Sequence, residues 1–169
     1  MKIRVLVTLL AVALVAAACG DDDGGSASTP EEYFRLVADA SERFADESDA
    51  AEPDFANSED PAETGRIAFS ALADSVEGFV DTLEDISPPA DLSDLHDDAV
   101  AKGRDAARSA RDLADAVAAV STPEELAEAF AGAEAVAFTE ALDAFGQTCV
   151  ALQGAADERG IDIDLRCEG

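Results

Sequence analysis

Tryptophan is absent, methionine stands only at position 1, and the 169 residues include a single histidine and a single tyrosine. Each scarcity removes a class of chemistry. With His96 as the only imidazole, a paired-histidine zinc site, a His-Glu-x-x-His helix and the Glu-x-x-His ligand sets of di-iron bundles cannot be assembled. The chain has no Cys-x-x-Cys-His stretch and no methionine beyond Met1, so a Met/His-ligated haem has no ligands. A Ser-His-acid triad would have to use His96, but no Gly-x-Ser-x-Gly elbow accompanies it. Basic residues are equally short, 11 Lys and Arg against 38 Asp and Glu, for a net charge of -27. Such a chain repels phosphate backbones and anionic headgroups, which excludes nucleic acid and a basic-patch membrane contact.

The abundant carboxylates are themselves weak evidence for a site. Asp21 to Asp23, Asp97-Asp98 and the stretch from Glu47 to Asp60 offer oxygens for calcium. None has the Asp-x-Asp-x-Asp-Gly spacing that orders such ligands, so a solvated, self-repelling surface is the simpler reading. His96, beside Asp94, Asp97 and Asp98, is expected to be a partly buried, carboxylate-paired residue near a helix start. No catalytic residue, cofactor-binding residue or metal ligand is assigned.

What the chain does contain begins at its amino terminus. Lys2 and Arg4 precede an apolar run over residues 5–18, broken only by Thr8 and followed by Cys19 and Gly20. The run is too short to cross a ~30 Å hydrocarbon layer and has the layout of a secretory signal. Val15-Ala16-Ala17-Ala18-Cys19 resembles a bacterial lipobox, in which the cysteine is acylated and becomes the new amino terminus. That resemblance implies a lipoprotein signal peptide over 1–18, lipid attachment at Cys19, and an exported protein anchored to the extracytoplasmic face of the cell membrane. It departs from the commonest pattern at Ala16, where a larger aliphatic residue is usual. Ala16 and Ala18 also satisfy the small-x-small rule of ordinary signal peptidase, which would release a soluble secreted protein. Cysteine parity favours acylation, because using Cys19 leaves Cys149 and Cys167 as an even pair in an oxidising compartment. Residues 19–28, acidic and rich in Gly and Ser, read as a tether.

Residues 29–169 read as a helical bundle domain. Thr29-Pro30-Glu31-Glu32 is a helix start, and Tyr33, Val37, Ala40 and Phe44 recur at helical spacing to about Asp46. Glu47 to Glu59, with Pro53, is expected to be a loop pinned by Phe55. Asp60-Pro61-Ala62-Glu63 opens a second helix whose Phe69, Leu72, Val76, Phe79, Leu83 and Ile86 form a 3-4 seam. Ser87-Pro88-Pro89 ends it. A third helix, about Pro89 to Val120, carries Leu92, Leu95, Ala99, Gly103, Ala106, Ala110, Leu113, Val117 and Val120 on one stripe. The small residues in its middle permit close approach by a neighbour. Thr122-Pro123-Glu124-Glu125 starts a fourth helical stretch to about Arg159, with one stripe through Leu126, Phe130, Ala133 and Ala137 and another through Phe138, Leu142, Phe145, Cys149 and Leu152. The phase change suggests a bend or break near Gly132.

Gly160 supplies a helix stop, and Ile161 to Cys167 alternates apolar with polar, as an extended segment laid on the bundle would. A Cys149–Cys167 disulfide would fold this tail back antiparallel to the last helix; free buried thiols are the alternative. The fold expected is therefore all-α: a four-helix up-down bundle with an extended C-terminal tail tied back by a disulfide.

The stretch Leu83 to Leu92, followed by Leu95-His96-Asp97, together with Cys149 to Gln153 and the Gly160 to Cys167 tail, resembles small helical lipoproteins of actinobacteria without an assigned function. The resemblance implies a surface-tethered helical domain and carries no catalytic residues with it. The function expected is that of a non-catalytic interaction or accessory module of the cell envelope, partnered by the membrane through its N-terminal lipid and by a basic envelope protein, with oligomeric state open. The alternative is an extracytoplasmic binding module for a cation or a small apolar ligand, the latter held where Gly103, Ala106 and Ala110 leave room between helices.

Overall fold

A computed structural model describes residues 29–51, 54–55 and 57–167. Residues 1–18 and the whole tether over 19–28, Cys19 included, therefore lie outside the described residues. Among those described there are five α-helices and no strand: α1 (Pro30–Ala51), α2 (Pro61–Glu84), α3 (Ser93–Ala118), α4 (Pro123–Phe130) and α5 (Ala133–Glu158).

The starts follow from side chains that satisfy otherwise orphaned backbone donors. Thr29 Oγ1 accepts from the Glu32 amide at 3.2 Å, and Asp60 does the same for Glu63 at 3.1 Å. At α4, Thr122 accepts from the Glu125 amide while Glu125 reaches back to the Thr122 amide, a complete capping box. Proline occupies the first helical position in all three, where its missing N–H costs nothing.

Three boundaries differ from the sequence expectation. Helix α1 runs on to Ala51 instead of ending near Asp46, because acidic residues do not stop a helix and the first breaker is Pro53. Helix α3 starts at Ser93, since Pro89 is held in a turn in which its carbonyl accepts from the Leu92 amide at 2.9 Å. The last helical stretch is two helices: α4 ends through Ala131, and Gly132, extended at ψ 175, restarts the chain as α5. The restart resets the phase, so Leu126 is buried whereas Ala133 and Ala137 are exposed.

Packing runs in sequence order around the molecule. Helix α1 lies on α2, α2 on α3, and α3 on α5, with the short α4 touching α2, α3 and α5. Two apolar clusters result. One collects Tyr33, Phe34, Val37, Leu83, Ile86, Leu92, Ala99, Leu152, Ala156 and Leu165. The other holds Ala73, Ala110, Leu113, Ala114, Val117, Leu126 and Phe138 at the α4 end. Side chains such as Phe34, Val76 and Val117 are fully buried, each contributing about 1.5–3 kcal/mol. Close approach at mid-bundle depends on Gly103, where a Cβ would stand 2.7 Å from Val80 Cγ2 and 3.2 Å from Phe145 Cε2. The small-residue stripe of Ala99, Gly103, Ala106 and Ala110 is thus buried among neighbouring helices.

Candidate functional site

The densest collection of polar and covalent features lies where α1, α3, α5 and the tail meet. Tyr33 and His96, the only residues of their types, face each other there from the inward stripes of α1 and α3. Tyr33 is fully buried and His96 is 5% exposed. The Tyr33 hydroxyl and His96 Nδ1 share a hydrogen bond of 3.2 Å, and the rings meet edge to face at 5.8 Å. This corrects the expected carboxylate pairing: Asp94, Asp97 and Asp98 point to solvent, and the partner of His96 is a phenol. Burial moves both groups away from charge. It lowers the His96 pKa, an effect that nearby Asp97 opposes, and it pushes Tyr33 up to about 12. Near neutral pH the pair is an uncharged hydrogen bond beside the apolar cluster.

The tail reaches the same place from the other side. Gly160, at φ +68, turns the chain at the end of α5, the left-handed conformation glycine adopts without a Cβ penalty. Residues 161–167 then run back along α5 with Asp162 and Asp164 outward and Ile161, Ile163 and Leu165 inward. Leu165 is 1% exposed and packs in the Tyr33–Phe34 cluster. Gln153 of α5 reads the tail backbone twice: its Nε2 donates to the Ile163 carbonyl at 2.9 Å, and its Oε1 accepts from the Leu165 amide at 2.9 Å. Arg166 adopts φ 52, its amide donating to Asp164 Oδ1 at 2.8 Å, and this turn presents Cys167 to Cys149. The two cysteines form the disulfide, with Cα atoms 5.4 Å apart. Arg166 also pairs with Glu42 of α1.

The paired cysteines are therefore brought together as the sequence suggested. Gln153, in the uncharged stretch from Ala144 to Ala156, holds the tail in a role that sequence reasoning missed. Nothing in the sequence sets it apart from the exposed Gln147; on its half-buried face the amide is satisfied by backbone groups of the tail.

A second polar feature lines the α2–α3 seam. Arg111 donates to Asp74 at 2.7 Å and to Glu77 at 2.6 Å, Arg104 pairs with Glu84, and Arg108 with Asp105 within its own helix. These contacts hold the Glu84 carboxyl below the ordinary carboxylate range and raise Arg104 and Arg111. A shallow open cleft of about 450 Å³ runs along this seam. Its three arginines each already face a carboxylate.

Among the described residues, no group of three or more His, Cys, Asp or Glu side chains could hold a metal ion, and no helix is long and apolar enough to cross a membrane. The Asp21 to Asp23 cluster and Cys19 lie outside the described residues. Comparison with protein-family models, curated proteins and solved structures gives no match to this chain.

Proposed function

We propose that the protein is a membrane-anchored lipoprotein of the cell envelope, exported and held on the extracytoplasmic face by lipid on Cys19, and that it acts as a non-catalytic interaction or accessory module. The observation that carries this reading is the sequence from Lys2 to Gly20: a basic start, a 5–18 apolar run and a cysteine directly after three alanines. The Cys149–Cys167 disulfide supports it, since stable bridges belong to oxidising compartments. The five helices are taken as an up-down bundle of α1, α2, α3 and α5, with α4 as a short insertion that closes one end. Burial of the only histidine against a phenol supports a non-catalytic role, because acid–base chemistry needs a group that reaches its substrate. The acidic surface suits a basic protein partner in the envelope.

The test is intact mass and membrane fractionation of the native protein beside a Cys19→Ala variant. A lipid-sized mass excess on a chain beginning at Cys19, lost together with membrane association in the variant, is the expected result. Cleavage after Ala18 without added mass, and recovery of both forms in the soluble fraction, would replace the anchor with a secreted helical protein.

A further inference from the structure

We propose that the Cys149–Cys167 bridge is a reducible clasp that decides whether the tail occupies the seam between α1 and α5, and through the tail whether α1 stays docked. The inference goes beyond the envelope role and holds whether or not Cys19 carries lipid.

The argument starts from how α1 is held. It packs along α2, and it is not laid along α5 as a closed ring of four helices would require. What joins α1 to α5 is the tail: Leu165 sits in the cluster with Tyr33, Phe34 and Leu152, Gln153 grips the backbone from the α5 side, and Arg166 reaches Glu42 on the α1 side. The tail is thus the filler of a seam, as an extended peptide bound in cis would be.

That filler is poorly retained without its covalent tie. Keeping residues 161–167 ordered costs backbone entropy at every position, and the chain must also hold Arg166 at a positive φ. Against this stand one buried leucine, the half-buried Ile161 and Ile163, a hydrogen bond from the Ile161 amide to the Ala156 carbonyl, two hydrogen bonds with Gln153, and an exposed ion pair of Arg166 with Glu42 that contributes little. The bridge tips the balance by keeping the tail at high effective concentration beside its groove. Both cysteines are half-buried, and Cys167 lies on the tail outside any helix.

The chemistry is a thiol–disulfide exchange with a dithiol reductant. A thiolate of the reductant attacks one sulfur, the Cys149–Cys167 bond breaks, and a mixed disulfide forms. The second thiol of the reductant then displaces it. The protein gains two electrons and two protons as two thiols, and the reductant leaves as a disulfide. With the tail gone, the seam lined by Phe34, Leu152 and Gln153 is uncovered and α1 keeps only α2 as an extended partner.

Hydrogen exchange read by mass spectrometry on the full chain tests this, comparing the oxidised protein, the protein reduced with dithiothreitol, and Cys149→Ser/Cys167→Ser. Expected on reduction is a loss of about tenfold or more in amide protection over 161–167 and in α1, with α3 and the first half of α5 unchanged. Unchanged protection of the tail after reduction would overturn the clasp, since non-covalent contacts would then suffice. Equal loss across all helices would overturn it too, by making the bridge a staple of the whole fold. A Gln153→Ala variant with the bridge intact is the control that does not depend on the double variant folding: protection is expected to fall at the Leu165 amide while α1 stays protected. Loss of α1 protection in that oxidised variant would show that Gln153, and not the bridge, holds the tail.

Discussion

The two ends of the helical array solve the same problem by different means. Around Tyr33, Phe34, His96 and Leu165, large side chains from α1, α3, α5 and the tail close the core, and a disulfide and a buried phenol–imidazole pair fix them there. Around Leu126, Leu113 and Phe138, an eight-residue helix does the closing. It is set against Gly65, where a Cβ would stand 3.2 Å from Leu126 Cδ1, and it is edged by Phe55 and Phe130, which stay more than a third exposed. Long amphipathic helices rich in alanine bury little at their ends, so each end needs an added part. One part is covalently tied and the other is held by a cap and a few rings.

The strongest challenge to that contrast is a matched pair of truncations. Phe34→Ala at the tied end should cost about 3–5 kcal/mol, as for a fully buried phenylalanine, and lower Tm accordingly. Phe130→Ala, 38% exposed and touching Phe69 and Phe55, should cost markedly less. Denaturant melts of the two variants measure this, and equal losses would erase the distinction between the ends. Next in size is Gly103→Ala at the waist, where a new methyl must displace Val80 and Phe145; overpacking of this kind costs about 1–3 kcal/mol, and the same melts would show it.

A smaller effect is expected from Thr122→Ala. It removes the capping box of α4 at a cost of about 1 kcal/mol, with hydrogen exchange rising in α4 and not at the tied end. The last expectation concerns pH and the tied end alone. Because burial lowers the folded-state pKa of His96 below the ordinary 6.5, its contribution to stability is fully present above that pH and is lost as pH falls through the lowered value. Carboxylates held low by arginine, such as Glu84 and Asp91, lose their contribution only at more acid pH. A His96→Gln variant should therefore flatten the Tm profile in the first stretch below pH 6.5 and leave the acid limb unchanged. A profile that keeps its slope in the variant would show that another group titrates there.

The helices were legible wherever a proline or a cap coincided with a change of period. Thr29-Pro30, Asp60-Pro61 and Thr122-Pro123 all start helices, and the alternation after Gly160 is the extended tail. The phase change near Gly132 marked a true break. Residues whose roles depend on a distant partner were harder to read. Phe34, fully buried, lies beside the stripe of Tyr33 and Val37, and its apolar cluster includes Leu83, Leu152 and Leu165, all distant in sequence. His96 was legible as a half-apolar position, yet its neighbours in sequence pointed to carboxylates while its neighbour in space is a tyrosine 63 residues away. Gln153 follows the same rule, since backbone acceptors and donors from 163 and 165 leave no trace in sequence pattern.

The arginines carry a consequence of another kind. Seven of them pair with carboxylates among the described residues, three along α3 facing or beside α2. Seven of the 11 basic residues are thereby engaged by the molecule's own acids, and the excess of carboxylates leaves the surface strongly anionic. Packed side by side on any surface, such molecules form an ion exchanger: a layer in which mobile cations are enriched and small anions depleted within about 10 Å at ordinary ionic strength, by Donnan partition and without a coordination site.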